Sequence, residues 1–303
     1  MKLVLIPLII VVVAISVMGQ SSPTLRIVTE DPNLPSELYY GDLKVKPLRV
    51  RPGTNQPMVF EDNDYFVFQQ YVDFLGRMPD QAGYEDWLNV LNTCKNQGKL
   101  GADPGCDRTH VSSGFFRSPE FGEKGYWLYR YYHATLGRLP KYAEWKPELL
   151  KLSGFQLSAA DIETRKLAFI SEFMSGPEFT ARYGSLLNPQ SASAYVNKLI
   201  ETAGITSLAN KDQLISEMAN GTKTPAQVLR SFIEGQEVWD RFFFRAFVAM
   251  EYFGYLKRDP EPAGYDDWVD VLTNGRASAG IAPEDYRHLV FGFIWSTEYR
   301  SRF

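Results

Sequence analysis

The chain has 303 residues, with 32 Lys and Arg against 36 Asp and Glu and a formal net charge of −4. So mild a balance argues against a nucleic-acid surface and against a polybasic membrane clamp. Aromatic residues make up 14% of the chain, and rings in such number are ordinarily hidden in a large core.

Residues 1–19 begin with Lys2, continue as an almost wholly apolar run from Leu3 to Val17 and close on Ser16-Val17-Met18-Gly19. That is the layout of a secretory signal peptide cleaved after Gly19. The run is shorter than the roughly 20 residues that span a bilayer. An uncleaved signal anchor is the alternative, and the one expected attachment to a membrane. Residues 20–61 hold Pro23, Pro32, Pro35, Pro47, Pro52 and Pro57, which predicts an extended arm. In it, Leu43 to Lys46 and Leu48 to Arg51 alternate apolar with basic, the pattern of short edge strands, since Pro47 is incompatible with a central one. Lys44, Lys46, Arg49 and Arg51 read as a solvated strand face, with an anionic contact as the alternative.

Helical periodicity starts at residue 62. Val67, Tyr71, Phe74 and Leu75 form one apolar stripe, and Gly76 is placed to end that helix in the left-handed conformation. Pro79 suits the first turn of a second helix, whose stripe is Tyr84, Trp87, Leu88 and Leu91. Cys94 and Cys106 follow as the only cysteines. In an exported chain so close a pair reads as one disulfide, and His110 alone is too little for a metal site. Ser118-Pro119-Glu120 then reads as N-cap, first-turn proline and dipole-favoured acid, opening the next leading helix.

These phrases recur. Ser118-Pro119-Glu120-Phe121 returns as Gly176-Pro177-Glu178-Phe179 and, weaker, at Glu237 and Glu298, the four glutamates lying 58, 59 and 61 residues apart. Gly76-Arg77-Met78-Pro79 matches Gly137-Arg138-Leu139-Pro140, and Arg258 and Pro260 hold the same places later. The stretch from Gly83 to Trp87 comes back as Gly264 to Trp268. A fixed period predicts one supersecondary unit used several times. The expected architecture is all-α, four degenerate three-helix repeats over 62–121, 122–179, 180–240 and 241–303. The second has Glu144-Trp145 displaced, and the third lacks the Leu-Gly-Arg-x-Pro corner. Arg77, Arg138 and Arg258 are expected to bridge each corner to an acid of the following helix, such as Asp80 or Glu85.

The string from Phe74 to Trp87, with Ser118 to Phe121 behind it, resembles a bacterial domain catalogued as domain of unknown function 4214, itself similar to the helical phycobilisome linker domain. The resemblance covers about 62–303, best in the first and last units. It implies an exported, repeat-built helical domain of secreted or surface proteins, and it carries no catalytic residue to transfer.

The chemistry-bearing residues give no enzyme. Gly-x-Ser-x-Gly and His-Glu-x-x-His are absent, and His110, His133 and His288 are the only histidines. Glu85-Asp86 and Asp266-Asp267, beside Trp87 and Trp268, resemble a glycosidase acid pair but read better as helix-start acids of the repeat. Asp103 and Asp107 are too few for calcium. Along Tyr126, Trp127, Tyr129, Tyr131 and Tyr132 the rings point all round a helix, so some are expected on a contact surface or at a junction between units. The expected role is therefore a non-enzymatic scaffold, without cofactor or nucleic acid, that binds an envelope or extracellular protein or a second copy of itself. Carbohydrate binding through exposed Tyr and Trp is the alternative, and a secreted hydrolase ranks last.

Overall fold

The computed structural model describes residues 24–29, 31–45, 49–58, 60–96, 99–154 and 157–303. The signal-like run and Lys46, Pro47 and Leu48 lie outside them. The body is mainly α-helical and carries one small sheet from the proline-rich arm. Among the described residues no helix is long and apolar enough to cross a membrane.

The arm differs from the expected pair of edge strands. It forms a three-stranded antiparallel sheet, β1 (Leu25–Val28), β2 (Glu37–Tyr40) and β3 (Leu43–Lys44), in that order. Two of the strands fall where no alternation was read. Of the predicted second strand, Val50 makes only an isolated bridge to Pro57. The basic stripe is dispersed. Lys44 and Arg49 both turn to Glu37, at 3.4 and 3.3 Å, and Arg51 pairs with Asp64. The Met78 N–H, donating to Asn33 O at 2.7 Å, ties the arm to the helical body.

The helices follow in order. The first stretch is α1 (Asn63–Gln70) with a π-helical turn at Tyr71–Leu75, then α2 (Gln81–Asn92) and α3 (Arg108–Phe116). Next come α4 (Pro119–Glu123), α5 (Gly125–Leu136), α6 (Tyr142–Leu152) and α7 (Ala159–Ser175). They are followed by α8 (Pro177–Tyr183), α9 (Ala192–Ala203), α10 (Lys211–Ala219) and α11 (Pro225–Ile233). The last are α12 (Gln236–Glu251) with a second π-helical turn at Tyr252–Leu256, α13 (Pro262–Asn274), α14 (Arg287–Ile294) and α15 (Thr297–Arg300).

Ser118 caps α4 as expected, its hydroxyl accepting the Phe121 N–H, but α4 breaks at Lys124 before α5 begins. The proline phrase thus opens a short helix of its own there and again at α8. Only α12 runs from this point directly into a leading helix. Four helix ends share one conformation. Gly76, Gly137 and Gly204 close α1, α5 and α9 at φ 65, 68 and 62°, the left-handed region glycine enters without a Cβ penalty. The fourth such position is Lys257, at φ 57°.

The arginine corners are built alike. Each guanidinium lies over the tyrosine six residues earlier, Arg77 on Tyr71, Arg138 on Tyr132 and Arg258 on Tyr252. Each donates to the next residue's carbonyl. Each also clasps the glutamate of the recurring proline phrase: Arg77 to Glu120 at 2.8 and 2.7 Å, Arg138 to Glu178 at 2.7 Å and Arg258 to Glu298 at 2.7 Å. Asp80 joins Arg77 at 3.3 Å as expected, but Glu85 bonds Gln81 instead. The third corner has no arginine, and Glu237 accepts the Ala209 N–H at 2.7 Å. Arg77 is 7% exposed, so its bidentate pair is worth more than the ~0.2–1 kcal/mol of a solvated one.

Gly83 and Gly264 owe their place to the same tyrosines. A Cβ on either would lie 2.5 Å from the Tyr71 hydroxyl or 2.7 Å from that of Tyr252. The displaced Trp145 takes the register of Tyr84 and Tyr265. Its indole donates to the carbonyl twenty residues back, Gly125, as the Tyr265 hydroxyl does to Arg245. Trp87 and Trp268 are both half-buried on the core. Trp87 stacks on Phe115 at 5.5 Å and covers Gly114, whereas a Cβ on Gly292 would meet nothing.

Helix α5 is the axis of the core, packed by α12, α9, α6 and α11. Tyr126, Trp127, Tyr129 and Tyr131 are each at most 1% exposed. They are not a contact surface. Tyr126 donates to Trp239 O, Trp127 to Glu234 at 2.9 Å, and Tyr129 meets His133 and Tyr265. The fifth, Tyr132, is half-buried against Phe173 and Arg138. A helix apolar on every side is central when partners cover every side, and here they do.

Cys94 and Cys106 are joined in a disulfide, Cα–Cα 5.6 Å, closing the loop between α2 and α3. Asp103 also braces that loop, accepting the N–H groups of Lys95 and Asn96 at 2.8 and 2.7 Å. Reduction is expected to remove up to ~3 kcal/mol by the chain-entropy account, less what Asp103 retains. A melting curve in dithiothreitol checks it, and an unshifted midpoint refutes it.

Candidate functional site

Two features stand apart from the arginine corners, and both adjoin the arm. The first is the outer face of the sheet. Strand register places Leu25 opposite Tyr40, Ile27 opposite Leu38 and Tyr40 opposite Leu43, so these five side chains share one face. Leu25, Ile27 and Leu43 are 67, 74 and 73% exposed and Tyr40 47%. Strand β1 is also the edge of its sheet. Beside it an apolar groove of about 410 Å³ runs between the sheet and the body, lined by Ile27, Leu38, Val50, Phe68 and Met78 among others.

The second is a polar cavity of about 610 Å³ beneath the arm. Its centre is Asp73, in the π-helical turn after α1 and 1% exposed. One oxygen, Oδ1, takes Lys257 Nζ at 2.6 Å, the Gln69 amide at 2.9 Å and Arg302 at 3.3 Å. Arg302 also donates to Tyr255 O at 2.6 Å, satisfying a carbonyl that the second π-helical turn leaves free. Lys146, on α6, and Tyr142 complete the inner wall, while Lys44, Arg49 and Glu37 of the arm line the same cavity.

Burial opposes ionisation of Asp73, yet the charges of Arg302 and Lys257 outweigh it and hold the carboxyl below its ordinary value. Burial lowers Lys257 to about 7, only partly offset by Asp73, and lowers Lys146 to about 8. Lys146 Nζ is shielded from solvent and has no hydrogen-bond partner among the described residues; Asp73 Oδ2 is in the same condition.

Sequence reading missed this cluster because its members come from four distant stretches. A signal existed. Lys257 stands where three corners have glycine, and in that conformation a side chain costs on the order of 1 kcal/mol. Asp73 likewise puts a charge beside the apolar stripe of a leading helix, where the matching residue is Gly254, pressed against the Phe74 ring. Strained and non-repeating positions mark function more than matched ones do.

The other candidates have structural tasks. Asp107 caps α3 through the His110 N–H and pairs with Arg287, and Asp267 pairs with Arg276. His133 is packed on Phe242 at 4.6 Å, and burial with Arg245 and Arg241 nearby lowers it to about 3. Among the described residues no three His, Cys, Asp or Glu side chains gather as a metal set.

Glu251 is buried at 1% and raised well above the ordinary carboxyl value by desolvation, with no hydrogen-bond partner for Oε2 among the described residues. Its counterpart Gln70 accepts the Tyr255 hydroxyl at 3.0 Å. A raised folded value means a stabilising neutral form below the unfolded value near 4.5, lost progressively as pH climbs above it. Glu251→Gln should therefore raise stability at pH 7 by on the order of 1–3 kcal/mol and change little at pH 4. Melts at the two pH values check it; an equal gain at both would contradict it.

Residues 60–125 match the family described as Domain of unknown function (DUF4214), which contains the corner and glutamate motifs of the first stretch. No curated protein and no solved structure matches the chain.

Proposed function

We propose that this chain is an exported, non-enzymatic scaffold of the bacterial cell envelope, four degenerate copies of one three-helix unit that dock a protein partner through the arm. The recurring left-handed helix ends, Arg–Tyr–Glu corners and glycine-to-tyrosine contacts support the division into units. The observation that carries the docking role is the outer sheet face. Leu25, Ile27, Tyr40 and Leu43 are among the few large apolar side chains the described structure leaves exposed, and clustered exposure of this kind marks interaction surfaces. An open β1 edge adds backbone groups that an extended segment of a partner pairs with. The disulfide fits export.

Carbohydrate binding has less support. The tryptophans are half-buried or buried, and among the described residues Tyr40 is the one aromatic ring left exposed; sugar stacking calls for a ring platform.

The test pairs the full chain with a Leu25→Lys/Ile27→Lys variant in sedimentation velocity and in capture from envelope extracts. The variant should melt like the parent and lose the self-association or the captured protein. Retention of both by the variant, or absence of any association in the parent, would reject the reading.

A further inference from the structure

We propose that the cavity around Asp73 binds a small organic anion, its carboxylate or phosphate held by Lys146 together with Arg302 and Lys257. The charges of the lining do not balance. Among the lining side chains Lys44, Arg49, Lys146, Lys257 and Arg302 meet only two carboxylates, Glu37 and Asp73, with Asp31 acting on Lys146 from outside the lining. Glu37 is engaged with Lys44 and Arg49, and Asp73 with Lys257 and Arg302. That leaves Lys146, whose Nζ is shielded and without a hydrogen-bond partner among the described residues. A shielded ammonium so placed is unfavourable unless something compensates it, and an oxyanion does so with charge-assisted hydrogen bonds.

The size and walls of the cavity narrow the ligand. About 610 Å³ lies within the range of small-molecule sites and exceeds what a bare inorganic ion fills. Leu34, Val72, Tyr142 and Phe303 supply apolar wall beside the charges, which suits a compact ring or chain bearing one acidic group. The cost of placing Lys257 in a left-handed backbone conformation fits a position retained for a site rather than for the fold.

Thermal shift and calorimetry on the full chain test this at constant ionic strength, with D-glucuronate, D-glucose 6-phosphate and neutral D-glucose as probes. At least one of the two anions should bind saturably and D-glucose should not. The anion that binds identifies the acidic group as carboxylate or phosphate, and both binding would mean either is accepted. Lys146→Met should weaken binding about tenfold, the loss of one charge-assisted contact, while melting no lower than the parent without ligand. Lys146→Arg should recover most of the affinity. Failure of both anions to bind, equal binding of D-glucose, or undiminished affinity in Lys146→Met overturns the proposal. None of these outcomes depends on the docking face of the sheet.

Discussion

Asp73→Ala should destabilise the fold by about 3–5 kcal/mol, the cost of removing one partner from a buried ion cluster. At roughly 2–4 °C per kcal/mol for a large domain, the midpoint should fall on the order of 10 °C. Three donors converge on Asp73 Oδ1, and alanine leaves Lys257 without its carboxylate and Arg302 with only backbone carbonyls. Adding Lys257→Gly should return part of the loss, because it removes one stranded cation and restores the glycine of the other corners. On its own, Lys257→Gly relieves the left-handed strain but costs Asp73 its 2.6 Å partner, so the two substitutions should be strongly non-additive. The pH dependence has a definite sign. Asp73 has a depressed folded value, so its contribution is present above the unfolded value near 3.9 and drains away as pH falls through the folded one. Lys257 is lowered to about 7. The unfolded chain keeps that proton up to about 10.4, so stability rises with pH across the window between. Denaturant melts of the single and double variants decide the matter. A change below about 1 kcal/mol in Asp73→Ala, the scale of a solvated pair, would mean the cluster is open to water.

What the sequence disclosed and what it withheld divide along one line. Features set within a few residues were legible: the helix ends at Gly76 and Gly137, the Ser118 cap and the Cys94–Cys106 bridge. So was the importance of the corner arginines, but not their principal partners. Glu120, Glu178 and Glu298 lie 40 or more residues beyond, and only folding brings them back. The glutamate of the proline phrase suits the helix dipole by its position alone, and the fold makes it the far half of the clasp as well. Matched by residue type to Trp87, Trp145 is displaced; by position it takes the place held by Tyr84 and Tyr265. The sheet was hidden because Leu25–Val28 and Glu37–Tyr40 are short, and short strands depend on their neighbours more than on their own pattern. The Asp73 cluster was hidden for a deeper reason. Repetition draws attention to matched residues, and the cavity is made of unmatched ones.

Trp127→Ala should cost about 3–5 kcal/mol, the usual loss for truncating a fully buried large aromatic. The ring is 1% exposed, flanked by Tyr131 at 4.5 Å and Phe169 at 5.4 Å, with Lys166 over its face at 5.2 Å. Its indole also donates to Glu234, so alanine leaves both a void and a carboxylate short of a donor. Trp127→Phe should lose less, since it keeps most of the volume and forgoes only the hydrogen bond. The outcome separates two views of the tyrosine-rich helix. A contact helix would lose its partner on truncation and keep its midpoint, because a surface ring contributes little to folding. A core helix loses its midpoint, with any effect on association following from unfolding. Tyr132, half-buried at the end of α5, should show a smaller loss on the same substitution. Equal and negligible losses at Trp127 and Tyr132 in urea titrations would return α5 to the surface and remove the axis about which α12, α9, α6 and α11 are packed.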